Sequence, residues 1–150
     1  MGTESSPPPL ELDLGDFDAV GVATELVITL RVHAIEHEVD AAATVAAPDG
    51  WHQVVVTARH SGHVVIGVRY SDLSRSRWHN VSGALERREW DLDDDEDGAT
   101  KRFPPGTEAT MAAFEVLAAI TVAGAPVGQR EVTAVDGHGT PIDLRPDPDA

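Results

Sequence analysis

The chain has 150 residues, no cysteine, and 26 acidic against 11 basic side chains, for a formal net charge of −15. That length suits one domain, and 41% apolar residues suffice for one core. The charge argues against nucleic acid and anionic membranes as partners. The missing cysteines exclude disulfides, a thiol nucleophile and cysteine-ligated zinc or iron–sulfur clusters.

Residues 1–18 carry Pro7-Pro8-Pro9 and five acids, and residues 145–150 read Arg-Pro-Asp-Pro-Asp-Ala. Both stretches are too polar and proline-rich to bury much surface, so disordered tails are expected around a single α+β domain over 19–144. No basic-then-apolar leader opens the sequence and no apolar run nears membrane-spanning length, which makes a cytoplasmic location the expectation.

Over residues 23–45, apolar spacing predicts a helix. Ile28, Val32, Ile35, Val39 and Ala42 form one stripe, with Thr29, His33, Glu36, His37 and Asp40 on another face. Leu26, Ile28, Leu30 and Val32 also alternate, so a strand through residue 32 followed by a helix is the alternative. Trp51–Arg59 and His63–Tyr70 read as strands. A three-residue loop His60-Ser61-Gly62, with Gly62 left-handed, places Val54, Val56, Ala58, Val64, Ile66 and Val68 on one face. A two-residue loop would split them. A helix from about Ser74 to Glu89 directs Trp78, Val81 and Leu85 inward. A short hairpin, 90–93 with 100–103, encloses an acidic run. Thr107 is the expected N-cap of a third helix, with Phe114, Leu117 and Ile120 facing the core and Glu108 and Glu115 on the exposed edge. Residues 131–135 and 140–144 suggest a last hairpin. Segregated hairpins and helices of this kind predict an antiparallel β-sheet with about three helices packed on one side.

The element order, Asn80 and Leu85 in the middle helix, Trp90 after it, the acidic hairpin and the alanine-rich helix together resemble the type III secretion chaperone-like fold. Within it they resemble the YbjN-type proteins common in actinobacteria. Glu89 stands where that family often has glycine. The resemblance spans about 51–124 and implies a protein-binding module, often dimeric, with no catalytic residues to carry over.

Two motifs suggest metals. His33-Ala34-Ile35-Glu36-His37 matches the H-x-x-E-H pattern of inverted zinc peptidases, in which two histidines one helical turn apart hold zinc and the glutamate serves as base. A third ligand is not identifiable, and a solvated polar face explains the same pattern. Asp93, Asp95, Asp97 and Gly98 match the opening of a calcium loop, but Pro104 replaces the bidentate glutamate, so weak or no calcium binding is expected. Gln53, Arg59, His63 and Arg69 fall together on the outer strand face and are the candidate partner-binding residues. The sequence thus suggests a non-enzymatic, chaperone-like or adaptor protein with an acidic surface, no cofactor, and a protein partner that its net charge makes basic. A small metal-binding protein or metal-dependent hydrolase using His33, Glu36 and His37 is the alternative.

Overall fold

The computed structural model describes residues 10–13, 18–46, 52–71, 73–93, 98–122 and 129–144. Among them the elements run β1 (Leu10–Asp13), α1 (Ala19–His37), β2 (Ala41–Ala46), β3 (His52–Ala58), β4 (Val64–Tyr70), α2 (Arg75–Arg87), β5 (Asp91–Asp93), β6 (Gly98–Phe103), α3 (Ala109–Thr121) and β7 (Gln129–Asp136). The strands form one antiparallel sheet in the order β1-β7-β2-β3-β4-β6-β5.

The β3–β4 hairpin has the register that its aliphatic pattern requires. Val54 lies opposite Val68, Val56 opposite Ile66 and Ala58 opposite Val64. Arg59 N–H donates to the His63 carbonyl at 2.8 Å, leaving 60–62 as the loop. Gly62 has φ +100°, a left-handed conformation that only glycine takes without a Cβ penalty. All six aliphatic residues are buried on one face and share a core with Ala41, Ala43, Val45, Val132 and Ala134. The core sides of the three helices close over this face. Val81 and Leu85 of α2 join the core, and Trp78 packs against it. Ser74 caps α2, its Oγ accepting from Arg77 N–H at 3.3 Å.

Residues 41–46 correct the sequence expectation: they form a strand, not the end of a long helix. The helix stops where Glu38 turns left-handed at φ 52°. Ala41, Ala43 and Val45 are then fully buried between β3 and β7, while Ala42, Thr44 and Ala46 face outward. Helix propensity distinguishes alanine from its competitors by only about 0.7 kcal/mol per residue, less than two backbone ladders and a buried face contribute.

The inward face of α1 differs too. Ala23, Leu26, Val27, Leu30 and Ala34 are buried, whereas Ile28, Val32 and Ile35 point to solvent. On α3 the inward residues are Ala112, Ala113, Val116, Ala119 and Ile120, together with Glu115. Phe114, expected in the core, is exposed. Glu108 rather than Thr107 occupies the N-cap position, and the Thr107 hydroxyl donates to the Pro104 carbonyl at 2.8 Å.

Leu10–Asp13, expected in a loose tail, pairs with β7 and buries Leu12. Asp18 occupies the N-cap position of α1, and residues 1–9, 14–17 and 145–150 lie outside the described residues. The last hairpin is reduced. β7 pairs mainly with β2 and β1, and its expected partner arm keeps one bridge, Val135 with Pro141, plus a hydrogen bond from Ile142 N–H to the Ala134 carbonyl at 2.9 Å.

Truncating Ile66 to alanine at the centre of this face is expected to cost about 2–5 kcal/mol in denaturant melts, by lost burial and a cavity. A loss near zero contradicts the register.

Candidate functional site

The outer sheet face is solvated along its length, with Gln53, Arg69, Arg102, Glu131 and Thr133 exposed and Val55, Thr57 and Val65 half-buried. The four candidate partner-binding residues all lie there, but at opposite ends. Gln53 sits directly across from Arg69, and Arg59 across from His63 at the hairpin tip. Six residues of strand, about 20 Å, separate the two pairs. Beside the first pair a shallow hollow of about 210 Å³ opens over Gly67, bordered by Val55, Thr100 and Asp93. A Cβ on Gly67 would meet nothing within 4 Å, so the glycine leaves space rather than avoiding a clash. Asp93 ends β5 in an exposed position, and Asp95 and Asp97 lie outside the described residues.

The hairpin tip is tied to the start of β2. The Asp40 carboxylate accepts from the His60 backbone N–H at 3.0 Å, lies 3.0 Å from His60 Nδ1 and 3.9 Å from Arg59 Nε. The His60 backbone and ring contacts, and then the nearby cations, hold Asp40 below the usual carboxylate range. Ser61 Oγ contacts His63 Nδ1 at 2.9 Å, but the carboxylate belongs to His60, so serine, imidazole and acid are not connected in series.

The H-x-x-E-H segment occupies the last turns of α1. His33 Nε2 lies 3.2 Å from Asp136 Oδ2, and the His33 and His37 rings are 4.3 Å apart. Asp136 is already committed: its Oδ1 accepts from the His138 and Thr140 backbone N–H groups at 2.9 and 3.0 Å. Desolvation opposes ionisation of Asp136, but these hydrogen bonds and His33 outweigh it and lower its pKa. Glu36 is exposed, and among the described residues no three His, Asp or Glu side chains are placed to hold a metal ion. Through His33 this segment touches Asp136 at the start of the turn that follows β7.

The densest polar contact was not legible in the sequence. Glu115 is buried on α3, and its carboxylate accepts from Arg88 Nε at 3.1 and 3.2 Å, from an Arg88 terminal nitrogen at 2.5 Å and from the Trp90 indole N–H at 3.1 Å. Lys101 Nζ lies 3.7 Å away and also donates to the Arg88 carbonyl. Burial alone would raise the Glu115 pKa; the Arg88 and Trp90 hydrogen bonds and the two cations bring it below its ordinary value. With the acid thus satisfied, α3 presents Phe114 and Met111 outward, 51% and 56% exposed. Helix α1, packed beside it, presents Ile28, Val32 and Ile35 at helical spacing, Ile35 being 66% exposed.

Compared with family models, curated proteins and solved structures, the chain matches none. No helix among the described residues is long and apolar enough to cross a membrane.

The depressed Glu115 pKa has a defined sign. Its stabilisation is present above the ordinary value near 4.5 and is lost as pH falls through the lower folded-state value. Glu115→Gln is expected to flatten that part of the acid dependence, read as the difference between wild-type and variant melts across pH 3–6, and Glu115→Ala to cost about 1–3 kcal/mol at neutral pH. Identical acid profiles in wild type and Gln variant would remove Glu115 from this role.

Proposed function

We propose that this protein works by binding another protein, as a chaperone-like or adaptor module, and that the outer side of the α1–α3 helix pair is its principal contact surface. The observation that carries the reading is the apolar stripe Ile28, Val32 and Ile35 together with Met111 and Phe114. Five large apolar side chains are each 40–66% exposed on a chain of net charge −15. Single exposed apolar residues are ordinary; several on adjoining helices mark interaction surfaces. The run β3-β4-α2-β5-β6-α3, over which the sequence resembles YbjN-type chaperone-like proteins, supports the same reading.

Strand addition at a sheet edge is less favoured. The two edge strands are four and three residues long and read Leu-Glu-Leu-Asp and Asp-Leu-Asp. Short, acidic edges resist pairing with a further strand. The outer sheet face, with Gln53 and Arg69 beside the hollow, is the second candidate surface. A hydrolytic reading draws little support from a His33 engaged by Asp136 and a Ser61–His63 pair that lacks its carboxylate.

Val32→Asp combined with Ile35→Asp is expected to abolish capture of the native partner from host extract while leaving the thermal melt within a few degrees of wild type, because both side chains point outward and are about half or more exposed. Arg59→Ala with Arg69→Ala is expected to weaken capture far less. Capture that survives the first pair and fails with the second would move the interface to the sheet. A hydrolytic activity abolished by His33→Ala would overturn the reading.

A further inference from the structure

Where α2 ends, β6 and α3 converge on an open depression of about 460 Å³ whose charge is opposite to that of the chain. Its rim carries Arg87, Arg88 and Lys101, the last being the sole lysine of the sequence. Its apolar surface is Phe103, Met111 and Phe114. Among the described residues the one acid lining it is Glu115, whose side chain is 11% exposed and whose oxygens are engaged by Arg88, Trp90 and Lys101. Three positive charges against one negative leave a cationic margin around an aromatic and thioether floor.

We infer that this depression is a docking site for an acidic peptide segment bearing a bulky apolar side chain; the inference rests on the protein-binding reading and names the chemistry of one contact within it. Three observations carry it. First, the cations are pre-organised. The Arg88 guanidinium is fixed by its paired contact with Glu115, and Lys101 by the Arg88 carbonyl and Glu115. An incoming carboxylate therefore meets groups already held in place, which lowers the ordering cost of binding. Second, Arg87 is exposed at the end of α2, and no contact with Glu115 occupies it. Third, Met111 and Phe114 are half in solvent beside these cations, so a ligand that covers them is offered apolar burial and charge pairing together. Methionine's flexible thioether lets such a floor adapt to different apolar anchors.

The choice of an acidic occupant follows from charge complementarity. A basic segment, the partner that the net charge of −15 first suggests, would meet like charge at this rim. Glu86 and Glu89 flank the two arginines in sequence but do not line the depression, so the charged groups that meet an incoming side chain there are Arg87, Arg88 and Lys101 around the engaged Glu115. The volume matches one or two large side chains, and the half-exposed floor suits a segment lying across the surface better than an enclosed small molecule.

The test is fluorescence anisotropy of the full chain with a labelled short peptide of Asp and Glu around a central Phe-Leu pair. Two control peptides carry Lys in place of the acids, or Ser in place of Phe-Leu. The acidic apolar peptide is expected to bind saturably and at least about ten-fold more tightly than either control. Arg87→Glu and Phe114→Ser, both at exposed positions, are each expected to weaken it about ten-fold with the thermal melt unchanged. Ile35→Asp on α1 is expected to leave peptide affinity as in wild type. Equal binding of the basic peptide, or unchanged binding in both variants, overturns the inference. So does light scattering that shows a dimer dissociated by Phe114→Ser, because a second copy would then be the occupant. If the peptide fails while α1 variants still lose the native partner, this inference falls and the protein-binding reading stands. If the peptide binds as expected while capture ignores the α1 variants, that reading of the α1 surface falls instead.

Discussion

The fold depends on a sheet that can be covered on one side only. In β2, β3 and β4 every second residue is buried, nearly all of these being apolar, the residues between them (Gln53, Val55 and Thr57 in β3, Val65, Gly67 and Arg69 in β4) face outward, and the three-residue loop at His60–Gly62 keeps the β3 and β4 sets in phase. A slip of one residue would turn Val54, Val56 and Ala58 to water against Val64, Ile66 and Val68. With one face buried, all three helices must contribute to the same core, and they bury what faces the strands. Whatever apolar surface α1 and α3 carry in excess then points away from the sheet, where no further layer stands among the described residues. The exposed stripe is thus a consequence of the two-layer architecture acting on helices that are apolar on both sides.

Glu115 decides how that excess is divided. A carboxylate facing a core is costly unless paired, and here Arg88, Trp90 and Lys101 satisfy it from the end of α2, the start of the short hairpin and β6. The same contacts tie α2 and the β5–β6 hairpin to α3. They also fix the rotation of α3: with Glu115 inward, Phe114 must face outward. Tyr70 adds a second fastening, its hydroxyl donating to the Ala119 carbonyl at 2.5 Å, and burial pushes its phenol pKa up so that it remains a neutral donor.

These particulars explain which parts of the structure were legible. The β3–β4 register was legible because alternation and loop length over-determine it. The acidic hairpin and the middle helix were legible from local signals, the helix from the spacing of Trp78, Val81 and Leu85. The faces of α1 and α3 were not, because each helix has two apolar stripes and periodicity alone cannot rank them. Ala41–Ala46 reads as helix because alanine favours helix locally, whereas the strand is selected by pairing on both sides, with β3 next in the chain and with β7 far away in sequence. Leu10–Asp13 was hidden by its proline-rich, acidic surroundings. Of the site, Gln53, Arg59, His63 and Arg69 were correctly placed on the outer strand face but fall into two separated pairs. The Arg88–Glu115–Lys101 cluster joins residues 13 to 27 apart and left no pattern to read.

A bound partner should distinguish the two faces of the molecule without ambiguity. A photoreactive amino acid placed at Val32 on α1, or at Gln53 on the outer sheet face, crosslinks only what lies against it in the native host. The account expects a covalent adduct from position 32 and none, or only a trace, from position 53. Adducts from position 53 alone would contradict it and assign binding to the sheet.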